Sequence, residues 1–362
     1  KNAGTNYDIV TIKYHPDGTP LWSQSYNRTG SSNDYAQAVT IDNGSAIVAG
    51  YNYTSYYGYD AVILKYASLG SQIFKSVYNS SGTNDDKFFD VEADAEGNIY
   101  AVGITNHNWL IIKYASDGRI LWTQTYNGSA NAYDALYKVA VDGTGNVYVC
   151  GEVSQSSYGR NCAVAKYSSA GTQLWIRTYG DFDNDFLESM VLDNSGNVYV
   201  TGSMETYTDC DYVTLKYSAN GQLLWDSYYD CIGWDEAIDI ALSCDGDVVV
   251  TGYSFGENVD SATVKYDSET GEQVWVRRYN GSGNSTDYTE AIAADKFGNI
   301  FVHGKSCEIG STDYITICYD LEGNIKWKNN YNGAASLSDL GLAMVVVERA
   351  EEILRSRRTM PS

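Results

Sequence analysis

The chain has 362 residues, with 24 basic against 46 acidic side chains and a formal net charge of −22 at pH 7. So negative a surface argues against nucleic acid and anionic membrane as partners, since both require positive charge. No stretch approaches the roughly 20 consecutive apolar residues of a membrane helix, so no membrane span is expected.

In chain order, Lys1–Tyr7 reads as the tail of a loop, and residues 8–27 read as a hairpin of two strands, c and d. Lys13-Tyr14 closes strand c and Trp22 marks strand d. Period-2 alternation of apolar and polar residues around a Gly-containing turn is the hairpin signal. A second hairpin, a–b, follows, and the pair then repeats. The c–d hairpins start near 8, 60, 108, 161, 211, 260 and 313, and the a–b hairpins span 36–51, 88–104, 136–152, 187–203, 237–253 and 289–305. The strand-d marker recurs at Trp22, Phe74, Trp122, Trp175, Trp225, Trp275 and Trp327. The strand-c marker recurs as Lys65-Tyr66, Lys113-Tyr114, Lys166-Tyr167, Lys216-Tyr217 and Lys265-Tyr266, and becomes Cys318-Tyr319 in the last copy. Residues 340–362 lack the Gly-Asn turn and carry four arginines. They are read as a degenerate a–b hairpin that completes the first c–d hairpin, with Ile353-Leu354 at the places of Ile300-Phe301. A helical tail over Ala350–Arg357 is the alternative.

Four-stranded units repeating at about 50 residues point to a β-propeller. The pattern D-Y-x-T-I-K-Y…L-W…G-N-V-Y-V-T-G, traceable from about residue 7 to 339, resembles the bacterial and archaeal "beta-propeller repeat" family of exported, cell-surface proteins. The expected fold is therefore all-β: a seven-bladed β-propeller of four-stranded antiparallel blades, the last blade shared between the N- and C-terminal segments, forming one unit over 1–362. The resemblance implies an extracellular or cell-surface location and says little of activity.

In such a sheet the a–b and c–d turns lie at one end and the more variable b–c and d–a loops at the other. Variable loops on a rigid scaffold carry binding. Several candidates fall there. Asp34, Asp86, Asp134, Asp185, Asp235, Asp287 and Asp339 recur once per unit, either as a ring of carboxylates around a channel mouth or as loop-stabilising hydrogen-bond acceptors. Asp181, Asp183 and Asp185 alternate like a calcium loop, although the Gly and terminal Glu of an EF-hand are missing. Calcium is the one cofactor considered. Trp234 with Tyr53, Tyr56 and Tyr57 break the repeat and are the candidate ligand-binding aromatics. N-x-S/T sequons at Asn27, Asn43, Asn52, Asn79, Asn127, Asn280 and Asn284 are glycosylation candidates.

Seven cysteines are an odd number. Cys210 and Cys231 flank one c–d hairpin and are expected to form a cross-strand disulfide. Catalysis finds little support: His15, His107 and His303 sit in separate units, and neither G-x-S-x-G nor H-E-x-x-H occurs. The reading is a non-enzymatic extracellular structural or adhesive module, glycosylated and self-associating as a homo-oligomer or filament, with glycans or cell-surface components as partners. The alternatives are a carbohydrate- or peptide-binding propeller using the b–c/d–a face and, third, a propeller lyase or hydrolase.

Overall fold

The computed structural model describes residues 7–15, 18–28, 33–54, 58–80, 85–156, 159–180, 184–206, 209–308, 311–331 and 353–356. Every described element is a strand. The chain divides into two compact units, Lys1–Phe182 with Arg349–Ser362, and Asp183–Glu348.

The first unit opens with β1 (Ile9–Tyr14) and β2 (Pro20–Tyr26). Three four-stranded antiparallel sheets follow: β3 (Asp34–Asp42), β4 (Ser45–Thr54), β5 (Gly58–Tyr66) and β6 (Gln72–Tyr78); β7 (Asp86–Ala93), β8 (Ile99–Thr105), β9 (Asn108–Tyr114) and β10 (Ile120–Tyr126); β11 (Ala135–Val141), β12 (Val147–Ser156), β13 (Gly159–Tyr167) and β14 (Gln173–Tyr179). The second unit holds β15 (Asp185–Leu192), β16 (Val198–Glu205), β17 (Cys210–Tyr217) and β18 (Leu223–Tyr229); β19 (Asp235–Leu242), β20 (Val248–Phe255), β21 (Val259–Tyr266) and β22 (Gln273–Tyr279); β23 (Tyr288–Ala294), β24 (Ile300–Glu308), β25 (Ser311–Tyr319) and β26 (Ile325–Tyr331). A last strand, β27 (Ile353–Ser356), pairs antiparallel with β1 and makes a three-stranded sheet in the order β2-β1-β27. Ile353 lies opposite Tyr14 and Leu354 opposite Lys13, the register that Ile300 and Phe301 have against Tyr319 and Cys318. These seven sheets are the blades of an all-β propeller, and the shared blade joins the two ends of the chain.

The sequence dictates where each strand sits. The second and third strands of a sheet are apolar on both faces, as in β8 (IYAVGIT), and are buried throughout. The fourth strand alternates, as in β18 (LLWDSYY), where only Trp225 and Tyr229 are buried. Apolar clusters lie between consecutive sheets, for instance Ile47, Ile63, Phe88, Val91, Leu110 and Ile112 between the second and third blades. Each such side chain taken out of water stabilises the stack by about 1.5–3 kcal/mol.

Two repeat residues have steric explanations. In the first strand of every four-stranded sheet the register slips by one residue, between Leu187 and Ser189 in β15 for example. The bulge swings the carbonyl of Phe186 over Gly202, where a Cβ would meet it at 2.0 Å. Only glycine fits there. The Asp that opens the a–b turn at Asp94, Asp142, Asp193 and Asp295 folds back on its own loop. The Asp94 carboxylate accepts the Asn98 backbone N–H and side-chain amide at 2.8 Å each and the Tyr100 hydroxyl at 2.9 Å.

Candidate functional site

The repeated aspartates are built into their own sheets. Asp86, Asp134, Asp185, Asp235 and Asp287 are wholly buried and Asp34 is 2% exposed. One oxygen of Asp134 accepts the N–H of Gly128, at the start of the d–a loop, and the other accepts the N–H of Ser154, near the end of β12, each at 2.7 Å. Asp235 makes the same bridge between Cys231 and Phe255, and Asp287 between Gly281 and Cys307. The carboxylates face backbone donors, so each serves as a clasp that fastens the d–a loop to the second strand. Asp185 accepts from the Glu205 N–H at 3.1 Å in the same way. Asp181, Asp183 and Asp339 lie outside the described residues.

Three other carboxylates do converge. Oxygens of Asp209, Asp211 and Asp230 lie within 4.8 Å of one another. Burial, then the charges of Asp230 and Asp209, push the Asp211 carboxyl up to about 6.

The expected disulfide is not formed: Cys210 and Cys231 are both free thiols. Extrapolating the pairing of Tyr212 with Tyr229 would set the two cysteines opposite each other. The chain instead leaves the sheet after Tyr229. The Cys231 N–H turns to the Asp235 carboxylate at 2.6 Å, and the wholly buried Cys210 bridges to Trp234. The aspartate clasp overrides the hairpin geometry.

Of the sequons, Asn52 is wholly buried and accepts a hydrogen bond from Arg28, so it is no acceptor for a glycan in the folded chain. Asn27, Asn43, Asn79, Asn127, Asn280 and Asn284 are exposed. Asn43 stands apart from the rest, in the a–b turn at φ 47°.

Trp234 is 44% exposed and donates its indole N–H to Glu236 at 2.8 Å. Tyr56 and Tyr57 lie outside the described residues. Tyr53 is 41% exposed and belongs to a larger aromatic group. Its ring centre is 5.1 Å from that of Tyr59, which stands edge-on to Tyr51 at 5.3 Å. Tyr51 faces Tyr35 at 5.1 Å, and Tyr7 follows at 6.0 Å. Cross-strand pairing explains the grouping: Tyr35 is opposite Tyr51, and Tyr53 opposite Tyr59, so all share one sheet face. The ammonium of Lys87, from the neighbouring sheet, sits 4.1 Å above the Tyr59 ring and 3.0 Å from the Asp85 carboxylate. Burial, then Tyr35, Asp85 and Tyr53, raise the Tyr59 hydroxyl above its usual pKa. The surface therefore offers aromatic faces, hydroxyls, one cation and one carboxylate side by side. Sequence reasoning found Tyr53 and missed Tyr35, Tyr51, Tyr59 and Lys87. The signal was that equivalent positions in other units carry unrelated residues, such as Phe186 with Ser203.

A second group lies two sheets further on. The buried Glu152 accepts from Tyr137 and Arg160, each at 2.8 Å, and the Arg160 guanidinium lies over Tyr133. His107 stacks near the same ring at 5.9 Å, on a turn where both Asn106 and His107 have positive φ. Trp109 is wholly buried packing, its indole N–H donating to the Glu152 carbonyl. His15 and His303 lie elsewhere, the latter 3.2 Å from the Thr316 hydroxyl.

Residues 274–306 match the family described as "Beta-propeller repeat". That segment carries one beta-propeller repeat. Comparison with the curated proteins found no match. Among solved structures, this chain is similar to BamB from Moraxella catarrhalis, at 12% identity and a TM-score of 0.56 over 93% of this chain and 88% of that one. It is also similar to a protein from Lactobacillus plantarum, at 13% identity and 0.57, covering 97% and 99%. Sqt1 from Chaetomium thermophilum, solved bound to the N-terminus of the ribosomal protein L10, aligns at 11% identity and 0.54 over 95% and 80%. At these identities the likeness is one of fold.

Proposed function

We propose that the chain is a non-catalytic, extracellular adhesive module that binds glycan chains through the tyrosine surface of its second blade. The observation that carries this reading is the row of Tyr35, Tyr51, Tyr53 and Tyr59 flanked by Lys87 and Asp85. Tyrosine faces stack on sugar rings while their hydroxyls, with a lysine and a carboxylate, hydrogen-bond the sugar oxygens. The rings are already held by one another, so little side-chain freedom is lost on binding. The exposed sequons at Asn79 and Asn127 agree with a surface-displayed glycoprotein.

The test is calorimetric titration with a panel of neutral and acidic oligosaccharides. The Tyr53→Ala/Tyr59→Ala double variant should bind at least tenfold more weakly than the parent while unfolding at a similar temperature. No binding across the panel, or equal binding by the variant, removes the reading. A peptide ligand is the second reading, favoured by the Lys87–Asp85 pair and by Sqt1's capture of an N-terminus; binding to peptides alone would establish it instead.

A further inference from the structure

Five asparagine–glycine steps occur in the chain, and their glycines are not held alike. Such a step is chemically weak, because the glycine nitrogen can attack the asparagine side chain and no Cβ shields it. Asn332-Gly333 lies outside the described residues. In three of the other four the attacking N–H is tied down. Gly128 donates to the Asp134 carboxylate at 2.7 Å and Gly281 to Asp287 at 2.8 Å, both through the aspartate clasp. Gly221 donates to the Ser218 carbonyl at 2.8 Å. The clasp thus withholds the nitrogen that would attack the amide of Asn127 or Asn280.

Asn43-Gly44 has no such restraint. The pair forms the two-residue connection of the β3–β4 hairpin, with Asp42 opposite Ser45. Asn43 is exposed, and the two residues have φ of 47° and 78°, the type I′ geometry. Among the described residues the Gly44 N–H donates to nothing. Turning over the peptide plane between them converts type I′ to type II′, which closes the same hairpin. That carries ψ of Asn43 to about −120° and φ of Gly44 to about −80°. Glycine makes the change freely. In the turned-over form the Gly44 nitrogen lies beside the Asn43 side chain.

We infer that Asn43 is a site of spontaneous modification, where the amide is lost through a cyclic imide while Asn127, Asn220 and Asn280 are protected. The Gly44 nitrogen gives up its proton to hydroxide and bonds to Asn43 Cγ. The Cγ–Nδ2 bond breaks, and ammonia leaves with a proton taken from water. Water then opens the five-membered imide at either carbonyl. The products are aspartate and isoaspartate, the latter with one more carbon in the backbone.

The position gives the change a structural effect. Asn43 Nδ2 donates to one oxygen of Asp42 at 2.8 Å, and the other oxygen takes the buried Lys65 ammonium at 2.8 Å. Lys65 also reaches the Ser116 carbonyl of the following sheet at 3.4 Å, and a Cβ on Gly97 of that sheet would stand 3.2 Å from Asp42. Losing the amide turns a donor to Asp42 into a second negative charge beside it. The junction of the second and third blades therefore loosens with age, fastest in alkali. This inference is independent of the glycan reading, because the tyrosine row lies at the other end of the sheet.

The experiment is peptide mapping by mass spectrometry of the folded protein during incubation at mildly alkaline pH. Material from a host that does not glycosylate asparagine keeps every amide bare. Asn43 should convert at least tenfold faster than Asn127, Asn220 or Asn280. In urea, where no N–H is held, the four should convert at similar rates. Asn43→Gly removes the amide and keeps the turn, since glycine accepts positive φ. The unfolding temperature of the parent should fall in step with its Asn43 conversion, while that of Asn43→Gly should hold. An intact Asn43 in the folded protein, after the unfolded chain has converted, overturns the inference. So does equal conversion of all four sites in the folded protein, or a fall in unfolding temperature that Asn43→Gly shares.

Discussion

The indole N–H of Trp22 donates to the carbonyl oxygen of Ser68 at 3.0 Å, and the ring lies under Gly70 of the same turn. Two side chains that recur through the sequence, the tryptophan and the strand-c lysine, are thus satisfied by the following sheet. The exception at Phe74 shows how the two roles separate. Gly118 still packs on the ring, within 2.6 Å of a hypothetical Cβ, while no indole donor exists.

That exception sets the scale for a substitution series at Trp122. Trp122→Phe should lose only the hydrogen bond to Ser169, about 0.5–1.5 kcal/mol. Trp122→Ala should also lose the packing against Gly171 and Tyr100, for a total of about 3–5 kcal/mol. Urea unfolding of the two variants measures the difference, and equal losses would mean that the ring face contributes nothing.

Gly202→Ala places a Cβ at 2.0 Å from the Phe186 carbonyl and 2.7 Å from the Leu187 Cα, with backbone on both counts. The bulge must open or the strands part. A loss above ~3 kcal/mol is expected, among the larger values for a single methyl. Gly143→Ala is the control, since nothing lies within 4 Å there and the backbone is not left-handed. It should be neutral to within about 0.5 kcal/mol.

The acid response should run opposite to the common one. Burial, against the Arg28 amide and with the charge of Asp8, pushes the Asp34 carboxyl from an ordinary 3.8 up to about 6. Asp211 reaches about 6 as well, and burial raises Asp86, Asp134, Asp235 and Asp287. A folded-state value above the unfolded one means the folded chain binds more protons between about pH 4 and 6, so stability rises as pH falls through that window. The Asp34 share is on the order of 1–3 kcal/mol. Burial works against Asp142, yet hydrogen bonds from Thr144 and Asn146 hold it down to about 2, so its contribution is lost only at much lower pH. The unfolding temperature should climb between pH 7.5 and 5, with a smaller climb in Asp34→Asn; a monotonic fall would refute the assignment.

Thiol reactivity should separate by depth. Cys244 is exposed, whereas Cys150, Cys162, Cys210 and Cys318 are buried. Burial, then Glu236, pushes the Cys210 thiol up to about 12, while Ser203 pulls it down. At pH 8 an aromatic disulfide reagent should label Cys244 within seconds and reach Cys210 only on unfolding. Labelled-peptide mass spectrometry that finds Cys210 modified as fast as Cys244 would contradict the burial.

What was legible in the chain was whatever recurs. Trp22 and its successors, the Asp-x-x-Gly-Asn turns and the glycine of the second strand each announce a local constraint by returning at one period, and the blade follows from them. The aspartates announced themselves too, and the structure shows the clasp they form. The tyrosine surface was hidden because Tyr35, Tyr51, Tyr59 and Lys87 come from four strands of two sheets. Their neighbourhood is set by cross-strand register, which no single segment displays. The Cys210–Cys231 expectation failed for a related reason: where the chain leaves strand d depends on Asp235, several residues downstream.

The clasp between Trp22 and Ser68 has a bearing on how such a chain can grow or shrink. A repeat excised alone would carry an indole, an ammonium and a bare glycine turn, each shaped for a neighbour that is no longer there. Partial copies would inherit the same defect at both cuts. Duplication in whole units leaves every such junction intact. Lengthening by recombination is therefore tolerated in steps of one unit.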